Sequence, residues 1–220
     1  MATAPNHQEL IAALGAWLTP VRRLPPPWLR ALAWLLVVAA IAAGLLAHFG
    51  DASMLERFTA VPERAWGFAG AALTAVGAAC AALTLGVPGR SRAWAWLALP
   101  GALLWIGASG FGCLRDWFAP VTSIASTAAP PANCLVFIVL ASIPLSALMV
   151  WLLRRACPLR PVLTAMLVGL ASAAAAAVLL AIFHPYDAAA TDLLVHGLAV
   201  VIVVAANAAL GNRLLSPHPM

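Results

Sequence analysis

Six apolar runs separated by short polar connections dominate the hydropathy pattern of this chain. They extend over Ala31–Phe49, Ala65–Val87, Ala93–Phe111, about Cys134–Leu153, Val162–Phe183 and Leu193–Leu210, each near the ~20 helical residues that a bilayer core requires. Pro100 is expected to kink the third run, and Pro144 lies near the middle of the fourth. The residues ahead of the first run are patterned differently. Asn6 and, three residues on, Glu9 form a plausible helix N-cap pair. Leu10, Ile11, Leu14, Trp17 and Leu18 then fall on one helical face. Between that segment and the first run stands Pro20-Val21-Arg22-Arg23-Leu24-Pro25-Pro26-Pro27. Consecutive prolines lack N–H donors and clash with a preceding helical turn, so this stretch reads as a stiff, polyproline-like stalk.

The pattern predicts an all-α polytopic membrane protein in two parts. Residues 1–27 form a cytoplasmic amphipathic helix and proline stalk, and residues 28–220 a bundle of six transmembrane helices. Small residues at helix-packing intervals, Gly169, Ala173 and Ala177 in one run and Ala40 and Gly44 in another, predict close helix contacts.

Composition removes the soluble alternative. The chain is 64% hydrophobic and 9% charged, with a mean hydropathy of +0.99, whereas soluble domains are typically ~45–50% apolar. A cleaved signal peptide is not expected, because a long polar region precedes the first run and that run exceeds an h-region of ~7–15 residues. The net charge of +5 arises from 12 basic and 7 acidic residues, and every basic residue is arginine. So small an excess beside apolar spans is a topology signal rather than a nucleic-acid patch. With a cytoplasmic N-terminus, Arg22, Arg23, Arg30, Arg90, Arg92, Arg154, Arg155, Arg160 and Arg213 lie inside, and Arg57, Arg64 and Arg115 outside. The positive-inside rule therefore predicts six spans with both termini in the cytoplasm.

Candidate chemistry is sparse. No ionisable residue sits near the middle of a run, where pumps and proton-coupled carriers keep them. Gly-rich phosphate loops, Gly-x-Ser-x-Gly and His-Glu-x-x-His are absent, so neither an enzyme nor a cofactor is expected. The predicted topology instead gathers reactive groups outside. Cys113 and Cys134 flank the third external connection, and His48, His184 and His196 fall near the outer ends of runs one, five and six. Three readings stay open for this set: ordinary interfacial residues, a Cys113–Cys134 redox pair, or a soft-metal site drawn from Cys113, Cys134, His184 and His196 with Asp187. The spacing is not that of a metal motif. Cys80 reads as packing, and Cys157 as a reduced thiol on the inner side. The apolar face of the N-terminal helix suits either the inner leaflet or a groove on a soluble partner.

Several short motifs, taken together, resemble the NrsF-like proteins: Pro20-Val21-Arg22-Arg23-Leu24-Pro25-Pro26, Gly112-Cys113 with Asp116-Trp117, Cys134-Leu135, Pro158-Leu159-Arg160-Pro161, and Phe183-His184-Pro185 with Asp187. These are six-helix inner-membrane anti-sigma factors of proteobacteria, and the resemblance covers almost the whole chain. It implies a protein that holds an extracytoplasmic-function sigma factor at the membrane until an envelope, oxidative or heavy-metal stress releases it. It also implies that outer-face cysteines take part in the response, Cys134 foremost. A second family cysteine follows the histidine after the fifth run; Pro185 stands there, leaving Cys113 as the other outer thiol. On this reading Leu10, Ile11, Leu14, Trp17 and Leu18, with Arg22 and Arg23 at their edge, contact the sigma factor, and the other partner is the lipid bilayer. The competing readings are a membrane thiol–disulfide redox protein using Cys113 and Cys134, which lacks a second exchanging pair outside, and a small transporter.

Reporter fusions test the topology. Alkaline phosphatase fused after Met220 is expected to be inactive, and the same enzyme inserted between Gly112 and Asn133 to be active; the reverse pattern rules the topology out.

Overall fold

The computed structural model describes residues 6–16, 18, 23–50, 62–118, 132–156, 158–183 and 190–215. Among them are seven α-helices, α1 (His7–Ala16), α2 (Pro27–Phe49), α3 (Pro62–Leu85), α4 (Leu99–Phe118), α5 (Ala132–Leu153), α6 (Pro161–Phe183) and α7 (Ala190–Leu215), and one 3₁₀ helix at Arg92–Ala98. Six segments are long and apolar enough to cross a membrane, and they match the six runs of the sequence. The protein is accordingly a multi-pass helical membrane protein. The segment Arg23–Pro26 together with the α3–α4, α5–α6 and post-α7 junctions brings Arg23, Arg30, Arg90, Arg92, Arg154, Arg155, Arg160 and Arg213 to one end of the bundle, called here the basic end. Exposed Trp28, Trp94, Trp96 and Trp151 ring that end, as tryptophans do at a membrane interface.

Helices α3 and α6 form the centre. α3 packs against α2, α4 and α6, while α6 packs against α2, α3, α5 and α7. Their buried faces are rich in alanine, including Ala75, Ala78, Ala79 and Ala82 on α3 and Ala171, Ala174 and Ala175 on α6. Lipid tails are as apolar as leucine, so close van der Waals packing of small residues takes over the role that hydrophobic burial plays in water. Glycines bring α3 and α4 closer still. A Cβ on Gly101 would lie 2.5 Å from the Thr74 backbone nitrogen, and one on Gly77 2.5 Å from the Leu97 carbonyl oxygen. A Cβ on Gly70 would overlap the backbone of Trp105.

The predicted small-residue contact around Gly169, Ala173 and Ala177 is present. A Cβ on Gly169 would lie 2.9 Å from Val204 Cα on α7, and both alanines are buried. The pair Ala40 and Gly44 does not behave as expected: both are exposed, and nothing lies within 4 Å of a Cβ on Gly44. Helix α2 instead meets the core through Ala31, Trp34, Leu35, Val38, Ala42 and Leu45, a stripe at spacings of three and four that leaves Ala40 and Gly44 on the other side.

Prolines stand at the starts of four helices, as the first residue of α2, α3 and α6 and the second of α4. Pro27 opens α2, preceded by Pro26 with φ −57° and ψ 150°, so the first span begins four residues ahead of Ala31 and takes in Trp28 and Arg30. At the first helical position the missing N–H is needed by no carbonyl, and the fixed φ already suits a helix. Pro100 does not kink the interior of a helix as expected, because it is the second residue of α4. It has no N–H for the Trp96 carbonyl and its ring crowds that group. The preceding seven residues tighten into the 3₁₀ helix, whose start is capped by Ser91 Oγ accepting from the Ala93 N–H at 3.2 Å. Pro144 lies inside α5. One residue on, the Leu145 carbonyl accepts a 3.0 Å hydrogen bond from Nε1 of the fully buried Trp34.

Arg30, one turn before Trp34 on the same face of α2, is buried. Its guanidinium donates to the Leu152 carbonyl at 3.0 Å and to the Leu83 carbonyl at 3.4 Å. Both carbonyls lie in the last turns of their helices, α5 and α3, where no further helical turn supplies donors. Their i+4 donors are used elsewhere. The Val87 N–H bonds to Thr84 O at 3.0 Å, and the Ala156 N–H to Leu153 O at 2.8 Å. Arg30 therefore closes the C-termini of two helices at once and places its charge at the negative ends of both helix dipoles. Removing it strands two buried carbonyls. Arg30→Ala is expected to destabilise the bundle by about 3 kcal/mol, the scale of two hydrogen bonds to a charged group, and Arg30→Lys by less. Thermal unfolding of the purified protein in detergent measures both, and an unchanged midpoint in the alanine variant would remove this role.

Candidate regulatory sites at the two ends of the bundle

The N-terminal segment supplies the first candidate. Helix α1 begins at His7, immediately after Asn6, and the Leu10 N–H bonds to Asn6 O at 3.1 Å. None of its residues is buried. Leu10, Ile11 and Leu14 are 46%, 64% and 63% exposed, so the apolar face predicted from the sequence is present and the bundle does not cover it. The helix is shorter than the pattern implied. It ends at Ala16, leaving Leu18 beyond it in a turn closed by its own N–H to Gly15 O at 3.2 Å. Gly15 in the last turn weakens helix propagation. Arg23 is exposed ahead of α2, while Trp17 and Arg22 lie outside the described residues.

At the opposite end the reactive groups separate into two neighbourhoods. Cys113 sits near the end of α4, half-buried, and α4 packs chiefly on α3. Cys134 opens α5 and is buried in a small cluster with Ile138, Ala176, Leu180 and Ala199. That cluster joins α5 to α6 and α7, so the two cysteines face different neighbours, and they are not joined in a disulfide. His196, half-buried, lies one turn before Ala199 on α7, which brings it to the same corner as Cys134. His184 and Asp187 lie outside the described residues, as does Cys157. Among the described residues no three of His, Cys, Asp and Glu converge in a way that could hold a metal ion. Cys80 packs half-buried against the core, in line with the packing role expected of it.

The same end carries an ion pair that sequence reasoning did not single out. The Arg115 Nη1 donates to both carboxylate oxygens of Glu63 at 2.9 Å, with side-chain exposures of 34% and 17%. Glu63 stands in the first turn of α3 and Arg115 near the end of α4. Each complements the dipole of its own helix as well as the opposite charge, and the pair ties the two helix ends beside Cys113. The signal available in the sequence was an acid at the start of one apolar run and a base at the end of the next. Arg30 is likewise more than the topology charge that its place beside an apolar run suggests. Its position four residues before Trp34, inside the first helical run, was the clue.

Residues 14–216 match the family model NrsF, described as negative regulator of sigma F. No curated protein and no solved structure matches the chain.

The burial difference between the two cysteines predicts their reactivity. In intact membranes Cys113 is expected to react with a small maleimide severalfold faster than Cys134, and denaturation in SDS to make the two rates similar. Mass spectrometry of the labelled peptides measures this, and equal rates before denaturation would contradict the packing of Cys134.

Proposed function

This chain belongs to the NrsF family, the negative regulators of sigma F, and we propose that it acts as an anti-sigma factor of the bacterial inner membrane, sequestering an extracytoplasmic-function sigma factor there. Both termini face the cytoplasm in this reading, which puts the basic end and α1 on the side where a sigma factor works. The observation that carries the reading is the exposed apolar face of α1, with Leu10, Ile11 and Leu14 uncovered. A helix of this kind, joined to the membrane by a proline stalk, is suited to lie in a hydrophobic groove of a soluble partner. Trp17 and Leu18 extend the contact, and Arg22 and Arg23 flank it.

Burying five large apolar side chains at ~1.5–3 kcal/mol each yields roughly 10 kcal/mol in gross terms. Association and ordering costs take several kcal/mol from this, leaving a reversible complex. Reversibility is what a stress-released regulator needs. In this reading the signal, an envelope, oxidative or heavy-metal stress, is received at the opposite end by Cys113 and Cys134, with His184 and His196 as further candidate ligands. A change in helix packing there alters sigma affinity by a few kcal/mol, enough to move the bound population substantially. The family is a class of regulators rather than of enzymes, and the mechanism needs no catalytic step.

L14D/W17D is expected to leave the protein in the membrane and to weaken capture of the sigma factor at least about a hundredfold, the loss of two buried anchors, and deleting residues 2–19, which removes all five, to abolish it. Co-purification from membranes and transcription of sigma-dependent genes without stress are the two readouts. Variants that retain the sigma factor and keep its genes silent would move the contact to the basic loops around Arg90 and Arg154.

A further inference from the structure

An open groove of about 980 Å³ runs between α5 and α7 towards the basic end. Its walls are apolar, formed by Val139, Ile143 and Val150 on α5 and by Ile202, Ala206 and Leu210 on α7. Within it Asn207 Nδ2 donates to Val203 O at 2.9 Å and to Ser146 Oγ at 3.4 Å, which ties α7 to α5 across the groove. Arg154 and Arg213, both exposed, stand at its mouth, and the exposed Trp151 lies beside them. From Val139 to Arg154 a helix rises about 22 Å. That is roughly one leaflet's hydrocarbon depth of about 15 Å with the headgroup layer added.

Arg154 and Arg213 have no paired counter-charge among the described residues, and the Arg115–Glu63 pair lies at the opposite end. Of the seven acidic residues only Glu9 precedes the first span. In the predicted topology Asp51, Glu56, Glu63, Asp116, Asp187 and Asp192 all fall on the other side. Among the described residues the bundle offers Arg154 and Arg213 no anion, and an anion with an apolar tail suits both the arginines and the slot beside them.

The geometry points to a binding site for one anionic phospholipid, with an acyl chain between α5 and α7 and the phosphate between Arg154 and Arg213. Basic pockets between transmembrane helices take anionic headgroups in this way, by desolvated apolar contact along the tail and charge at the interface. Zwitterionic lipids fill the slot equally well, but the cation beside their phosphate offsets most of the gain at its mouth.

Native mass spectrometry of the full-length protein in a neutral detergent, titrated with phosphatidylglycerol or with phosphatidylcholine of the same chains, tests this. Phosphatidylglycerol is expected to bind about thirtyfold more tightly, the contribution of two arginines near a membrane surface. R154Q/R213Q should bring it to the level of phosphatidylcholine, and A206W, which fills the groove but keeps both arginines, should weaken both lipids. Equal binding of the two lipids by the native protein, or a preference that survives R154Q/R213Q, overturns the proposal. So does displacement of phosphatidylglycerol by glycerol phosphate at equal concentration, since a soluble phosphate would then suffice. If R154Q/R213Q keeps the lipid preference and instead loses the sigma factor, the proposal also fails, and the arginines belong to a protein contact.

Discussion

One guanidinium holds the basic end together. Arg30 starts on the first membrane helix and ends on last-turn carbonyls of α3 and α5, at Leu83 and Leu152. The three helices it joins are not consecutive, and their ends would otherwise leave acceptors unmet in an environment poor in water. Trp34, one turn deeper, repeats the arrangement with a neutral donor to Leu145 O. Together they pin α2 to α5 at two depths, and the basic end takes its shape from this clamp. An arginine at the positive N-terminus of its own helix is poorly placed for that helix alone. Its position makes sense only with the two foreign C-termini on which it sits.

Much of the fold can be read from the chain itself. The six apolar runs correspond to six helices, because length and hydropathy suffice when lipid is the solvent. The helix after Asn6 and the contact at Gly169 were legible for the same local reasons. Interactions between distant segments were harder to read. Leu83 and Leu152 are separated from Arg30 by 53 and 122 residues, and no pattern near Arg30 announces them. Ala40 and Gly44 carry the same spacing as true contact residues, yet which stripe of α2 turns inward is decided by Arg30 and Trp34. Pro100 shows a different limit. A proline within an apolar run breaks the ladder, but whether it kinks a helix or starts a new one depends on how the preceding residues rewind.

The candidate sites divide along the same line. The apolar stripe of α1 is a local pattern, and the structure leaves it exposed where the sequence predicted it. Cys113 and Cys134 flank one connection and so appeared to be neighbours. In the bundle the chain leaves α3's side with α4 and re-enters on the side of α6 and α7, so closeness along the sequence does not carry over into shared packing. Cys134 instead packs with Ala176 and Leu180 of α6 and Ala199 of α7, contacts that only the folded chain discloses. The Arg115–Glu63 pair, beside Cys113, has the same long-range origin.

The alanine and glycine centre has a further consequence. Neither residue has side-chain rotamers to freeze, so bringing α3, α4 and α6 together costs little side-chain entropy. Their attraction is dispersion between closely spaced backbones, and a gap of 0.5–1 Å already forfeits about a quarter to a half of it. No long side chain at Gly70, Gly77 or Gly101 can extend to bridge such a gap. The centre of the molecule therefore has little room to loosen by degrees: its helices are seated against one another or they are apart.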